Sequence, residues 1–196
     1  MKTIPNLAAA LALGVAIAAP AQAQGADPAA RIAAYDDGIV AIMKAKLGLD
    51  ARRDRFEALV REHYDMPAIA ALVVGPKWAA SSAADRSAAI AALTRHSALS
   101  LAKNFVSYGG EKFTVDQAVI ERGPSRIVKV RITSPGGGDT LLFVMRKGAA
   151  GWKIIDVVAQ GVSQLAVQRA DVASAVAAEG AAGLARRLSK LDGAVR

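Results

Sequence analysis

The chain of 196 residues predicts an α+β fold, a four-stranded antiparallel meander preceded and followed by helices in a single domain. Three observations carry this. The apolar periodicity is helical up to Gly109-Gly110, alternates as in strands from Lys112 to Val158, and turns helical again after Gly161. Glycine-rich breaks separate the alternating segments, as in hairpin-linked strands. Hydrophobic residues make up 53% and charged residues 21%, the balance of a chain with a sizeable core.

The N-terminus reads as a secretory signal peptide. Lys2 supplies a positive start, Leu7–Ala19 is an apolar run, and Pro20 precedes the small-x-small site Ala21-Gln22-Ala23, which places cleavage after Ala23. The run is shorter than the ~20 apolar residues that span a bilayer. It has no arginine, unlike a mitochondrial leader, and the chain has no cysteine, so lipid anchoring, disulfides and thiolate metal sites are excluded. The expectation is a signal peptide over residues 1–23 and one exported, soluble domain over residues 24–196. Without Lys2, 24 basic face 17 acidic residues, a net charge of +7 that suits anionic membrane surfaces or acidic partners. Aromatics are only 5% and no nucleic-acid motif is present, so no nucleic-acid partner is expected.

Gln24–Asp27 forms a short linker, and Pro28 opens a helix with Ile32, Tyr35, Ile39, Ile42 and Lys46 on one stripe, ended by Gly48. Asp50 is placed to cap a second helix whose Phe56, Leu59, Val60 and His63 share a face. Asp65 followed by Pro67 starts a short apolar helix over Met66–Val74, stopped by Gly75-Pro76 before Trp78. Ser82 with Asp85 makes a capping-box start for a long helix whose stripe runs Ile90, Leu93, Ser97, Leu101, Phe105 and Tyr108.

The alternating segments follow. Lys112–Glu121 is read as one strand. In Arg126–Thr133, Val128, Val130 and Ile132 share one face, with Arg126, Lys129 and Arg131 mostly towards the other. Pro135–Asp139 is a hairpin loop, Thr140–Lys147 a strand apolar on both faces, Gly148–Gly151 a turn and Trp152–Val158 the last strand. Val162-Ser163 then opens amphipathic helices carrying Leu165, Val172, Val176 and, past Gly180, Leu184, Leu188 and Leu191.

Enzyme motifs fail on inspection. Gly161-Val162-Ser163 begins like a nucleophile elbow but lacks the closing glycine, so Ser163 reads as a helix cap. A hydrolase centred on Ser163 is kept as a rival. His63 and His96 lie on separate helices and match no metal motif, so no metal, cofactor or catalytic residue is expected. Asp156, inside an apolar strand, is expected to pair with a basic residue or to cap backbone donors. What stands out is apolar surface, either filled core or the lining of a cleft for an apolar ligand. A two-tailed lipid exposes roughly thirty methylenes at ~0.8 kcal/mol each, so on the order of 20 kcal/mol rests on shielding them, which needs a deep cleft.

Two blocks resemble a known family. Trp152-Lys153-Ile154-x-Asp156-Val157-x-x-x-Gly161-Val162-Ser163, followed by Arg169 in a helix, and RFEALVREHYDMPAIAALVVGPKW from Arg55 to Trp78, with Arg86 and a helix down to Tyr108 beyond it, are similar to the MlaC or toluene-tolerance family of periplasmic lipid carriers. The likeness covers roughly Tyr35 to Leu191.

That resemblance implies a helical layer around a strongly curved sheet, with acyl tails in the cleft between them and the head group outside. It implies a non-enzymatic carrier that moves phospholipid between an inner-membrane ABC-type transporter complex and an outer-membrane lipoprotein complex, docking transiently and maintaining outer-membrane lipid asymmetry. Placed on this chain with strand faces taken from alternation, the pocket's helical side is Val73, Val74, Trp78, Leu101, Phe105 and Tyr108. The sheet side is Val128, Val130, Ile132, Leu141, Phe143 and Met145, closed by Ile155, Val157, Val162 and Leu165. The chain departs from the family pattern at Gln160, where glutamate is frequent, and at Gln168 and Val172, where tyrosine and phenylalanine are frequent. These departures bear on ligand preference, and a hopanoid, the cargo suggested by a related subgroup, is the alternative ligand. A non-lipid binding module of the same fold is the remaining alternative.

Overall fold

The computed structural model describes residues 27–194, so the predicted signal peptide lies outside the described residues. Helix α1 (Pro28–Lys44) starts at a proline whose fixed φ suits a first helical turn, and the Asp27 side chain accepts from the Ala29 amide at 2.9 Å. Its buried face is Ile32, Tyr35, Asp36, Ile39 and Met43, and Lys46 lies beyond the helix in the left-handed region at φ 51°. Helix α2 (Leu49–His63) is capped by Gly48 and not by Asp50, which pairs with Arg53 at 2.8 Å inside the first turn. Helix α3 (Met66–Val74) follows the Asp65 cap as expected, and Gly75–Trp78 forms a single 3-10 turn.

Helix α4 (Ala83–Asn104) begins at Ser82, whose hydroxyl accepts from the Asp85 amide at 3.0 Å. Its most buried face is built of small residues, Ala89, Ala92, Ala98 and Ala102, with Leu93, Thr94 and Leu99. The expected stripe of Ile90, Ser97 and Leu101 is only half-buried, and the helix ends before Phe105. Buried Arg52 on α2 ties that end down by donating to the carbonyls of Ala102 and Leu47, both at 2.7 Å.

The sheet has six strands where four were expected. The first expected strand is split into β1 (Lys112–Val115) and β2 (Ile120–Arg122), because the Asp116 carboxylate accepts from the Ala118 amide at 3.0 Å and turns the chain. Both pair with β3 (Ser125–Ser134), which pairs with β4 (Gly137–Gly148), and that with β5 (Gly151–Ala159), all antiparallel. Ser134 pairs directly with Gly137, so the hairpin loop contracts to Pro135-Gly136. Val162-Ser163 forms the two-residue strand β6 against β5 before helix α5 (Gln164–Gly193) begins. As expected, α5 consists of two helical segments that meet at Gly180, whose φ of 59° and ψ of −133° break the helix there. The path of the sheet is β1-β3-β4-β5-β6, with β2 on the same side of β3 as β1.

Two apolar clusters result. One joins α1 and part of α2 and α4 to the sheet through Tyr35, Phe56, Val128, Val130, Phe143, Met145 and Ile154. The other is helical and joins α3, α4 and α5 through Val73, Val74, Leu93, Val172, Leu184 and Leu188. Tyr64, after α2, and Leu101 on α4 pack against both.

Candidate functional site

Between the two clusters lies a cleft of about 590 Å³, within the roughly 300–1,000 Å³ of small-ligand sites. Its sheet wall is Phe113, Leu141, Phe143, Ile155, Val157 and Ala159. Register explains why these residues share a wall. Leu141 faces Val130 on one side and Ala159 on the other, while Phe143 faces Val128 and Val157, and paired residues in an antiparallel sheet point to the same face. Ile155 joins them through the irregularity at Val144/Met145, where β5 carries an extra residue and buries Ile154 and Ile155 in succession.

The helical walls come from Tyr35, Asp36 and Ile39 on α1, Tyr64 and Ile69 around the start of α3, and Leu93, His96, Ser97, Ser100, Leu101 and Asn104 on α4, with Phe105 just after it. Helix α5 supplies Gln164, Leu165, Val167, Gln168 and Asp171. Ser100, Asn104, Gln164, Val167 and Asp171 are exposed, so the mouth lies between α4 and α5, while Tyr35, Asp36, Ile39, Leu93 and Phe143 are buried at the floor. No lysine or arginine is among the lining residues.

At the floor the Tyr35 and Tyr64 hydroxyls meet at 3.0 Å, their rings edge to face at 5.5 Å, and Tyr35 also packs edge-on to Phe143 at 5.8 Å. Burial pushes the Tyr64 phenol up to about 12 and holds Tyr35 well above its ordinary value, so both stay protonated. Burial, reinforced by neighbouring Asp37, pushes the Asp36 carboxyl up to about 7. Phe105 carries the aromatic wall onward, tilted against Phe56 at 6.2 Å and Phe113 at 6.4 Å.

The joint from β5 to α5 is closed by polar contacts. Asp156 accepts from the Ser163 hydroxyl at 2.6 Å and from the Leu165 amide at 2.9 Å, and the Ser163 oxygen accepts from the Ala166 amide at 3.0 Å. Asp156 therefore caps donors and pairs with no basic side chain among the described residues, and Ser163 is a helix cap whose hydroxyl is committed at both ends. His63 is buried, and burial with nearby Arg31 pushes it down to about 4. His96 is half-exposed and bonds Asp192 through Nδ1 at 2.7 Å. Among the described residues no group of three or more His, Cys, Asp or Glu could hold a metal.

Of the residues expected at the pocket, Leu101, Phe105, Leu141, Phe143, Ile155, Val157 and Leu165 line the cleft. The others are elsewhere. Val73 and Val74 are buried in the helical cluster with Trp78 packed against it. Val128, Val130 and Met145 lie on the expected sheet face but within the closed core against α1, with Ile132 beside them. Tyr108 falls beyond the end of α4, 38% exposed, with the Lys44 ammonium 4.6 Å over its ring. Val162 is 50% exposed on β6. Arg126 also differs, since its pairing with Met145 puts it at the inner-face register, where it stacks on Trp152 at 5.6 Å. Sequence reasoning missed Tyr35, Asp36, Ile39, Tyr64 and Ile69 at the cleft and the polar rim on α4 and α5. Tyr35 and Asp36 each lie about one turn before Ile39 on α1, so that helix's stripe was the available signal.

The family model described as MlaC protein matches residues 34–190. Among solved structures the chain is similar to a phospholipid-binding protein from Ralstonia solanacearum in complex with a phospholipid, at 16% identity and a TM-score of 0.69, covering 84% of this chain and 96% of that one. At that identity the likeness shows the shared fold. No curated protein matches the chain in sequence.

Proposed function

The chain belongs to the MlaC family, and from that premise we propose that it is a periplasmic carrier holding the apolar part of a phospholipid in the cleft between sheet and helices. The observation that carries the reading is the cleft itself: apolar walls, a mouth between α4 and α5, and no lysine or arginine among its lining residues. An anionic phosphate gains nothing inside, next to Asp36, Asp156 and Asp171, whereas each methylene withdrawn from water gains ~0.8 kcal/mol. Tails go in and the phosphate stays at the rim. The solved neighbour that shares the fold was found with a phospholipid, which supports the same ligand class here. The signal-peptide pattern of residues 1–23 supports export of residues 24–196 as one domain, and the net charge of +7 after its removal supports transient docking on acidic surfaces. Within this reading the carrier passes lipid between an inner-membrane ABC-type transporter complex and an outer-membrane lipoprotein complex, and so maintains outer-membrane lipid asymmetry.

Native mass spectrometry of protein recovered from a bacterial periplasm tests it. A mass excess matching a lipid, on a polypeptide starting at Gln24, is the expected result. A bare polypeptide that also takes up no labelled phospholipid from vesicles overturns the carrier reading.

A further inference from the structure

Asp36 is a buried carboxyl to which the fold gives no partner. It lies on the inward stripe of α1, between Ile32 and Ile39, is 4% exposed, and contributes to the floor of the cleft. Among the described residues neither of its oxygens has a hydrogen-bond partner. Buried polar groups almost always have one, because an unmade hydrogen bond leaves the full cost of desolvation standing. The Tyr35–Tyr64 hydroxyl pair lines the same part of the cleft, and the Asp36 charge raises both phenols. That pair holds two protons and uses one internally, so one O–H remains to donate.

We propose that Asp36 and the Tyr35–Tyr64 pair form a polar subsite at the floor of the cleft that takes a hydroxyl carried on the apolar body of the lipid. The proposal rests on the carrier reading and specifies its cargo. A hydroxyl both donates, here to the carboxyl, and accepts, here from the spare phenol proton. Once ionised, the carboxyl needs a donor, so an ester or ketone, which only accepts, leaves it unpaired, while an ammonium offers the spare phenol proton no acceptor and an anion meets Asp36 with Asp37 beside it. A hydroxyl also carries no charge into the apolar floor. Two kinds of lipid present one in this way, a hydroxylated acyl chain and a polycyclic alcohol. Discrimination follows, because a cargo without the hydroxyl leaves the buried carboxyl unpaired.

The full chain, purified after export, is incubated with phosphatidylcholine vesicles holding equal amounts of a lipid and its hydroxylated counterpart. One arm uses phosphatidylcholines with a single hydroxyl placed early, midway or at the end of one acyl chain. The other uses cholesterol against cholestane. Bound lipid is extracted and its ratio measured by mass spectrometry. The expected result is a preference of about tenfold or more for the hydroxylated member in one arm, which identifies the kind of lipid. The ratio should fall to near one in Asp36→Leu and fall part of the way in Tyr64→Phe. A wild-type ratio near one in both arms, or an undiminished ratio in Asp36→Leu, overturns the subsite alone. If Asp36→Leu does not fold, an undiminished ratio in Tyr64→Phe overturns it. Uptake of no lipid at all by the wild type overturns the carrier reading and the subsite with it.

Discussion

Replacing Asp36 by asparagine should stabilise the protein, and increasingly so as the pH rises. The carboxyl titrates near 3.8 in the unfolded chain and near 7 in the fold, chiefly because burial penalises its charged form. Between those values the folded protein holds a proton that the unfolded chain has released, so stability falls as pH rises through this window and levels off above about 7. Each pH unit inside the window is worth ~1.4 kcal/mol. The penalty is then under ~2 kcal/mol at about pH 5 and ~4 kcal/mol at about pH 8, a large part of the 5–15 kcal/mol that holds a typical domain together. Asparagine keeps the shape and cannot ionise.

His63 titrates in the opposite sense. Its folded value near 4 lies below the ordinary 6.5, so the unfolded chain binds the extra proton and stability rises with pH between the two. That contribution is common to both proteins and cancels in their difference. Urea unfolding of wild type and Asp36→Asn, followed by tryptophan fluorescence from about pH 5 to about pH 8, should therefore show the variant gaining ~3 kcal/mol on the wild type across the range. The other acidic groups near Asp36, namely Asp37 beside it and Asp156 across the cleft near Tyr64, are common to both proteins and cancel in the same way. A difference that stays flat with pH refutes the argument, because it means that the folded carboxyl is paired or solvated and titrates normally.

Four further substitutions probe the cleft and its frame. Val157→Trp puts a large ring on the half-buried sheet wall and should cut vesicle uptake several-fold with the far-ultraviolet circular dichroism unchanged, whereas Val130→Trp should overpack the closed core and cost ~1–3 kcal/mol in urea unfolding. Ser163→Ala removes the α5 cap and should cost ~1 kcal/mol in the same assay. Gly180→Ala forces a side chain into a left-handed position with its Cβ 3.0 Å from Ser81 Oγ, and a melting temperature lowered by several degrees is expected.

Helix starts were legible because they rest on local chemistry: Pro28, Asp65 before Pro67, and Ser82 with Asp85 each supply what a first turn lacks. The inward face of the sheet was legible from alternation, and Leu141, Phe143 and Val157 of that face line the cleft. Alternation gives a face and not a depth, so Val128, Val130 and Met145 could not be told from cleft residues although α1 seals them over. Apolar helical residues carry the same ambiguity, and Val73 and Val74 spend their surface on other helices. The split of the first strand turned on a single side chain, Asp116, folding back on its own backbone. Asp36 escaped because only apolar residues were sought on a stripe where a carboxyl held the fourth place after Ile32.

The cleft is the seam between the two apolar clusters, and this explains how one chain combines a stable fold with a fillable space. Helix α4 divides its surface, giving its alanine-rich face to neighbouring helices and turning Leu93, Ser97 and Leu101 to the seam. Tyr64 and Leu101 touch both clusters, so the seam is bridged at its floor and open at its mouth. The wall formed by α5 is pinned where Asp156 holds Ser163 and Leu165, and again where the Ser81 hydroxyl accepts from the Ala181 amide at 3.2 Å and Lys77 donates to the Ala177 carbonyl. Between those anchors Val167, Gln168 and Asp171 line the mouth without belonging to either cluster. The same stretch buries Val172 and Val176 in the helical cluster, so this wall can offer its other face to cargo while the helix stays packed. The buried carboxyl at the floor fits this economy: its cost of ~4 kcal/mol near neutral pH is borne by two intact cores, and binding a hydroxylated cargo is the event that offsets it.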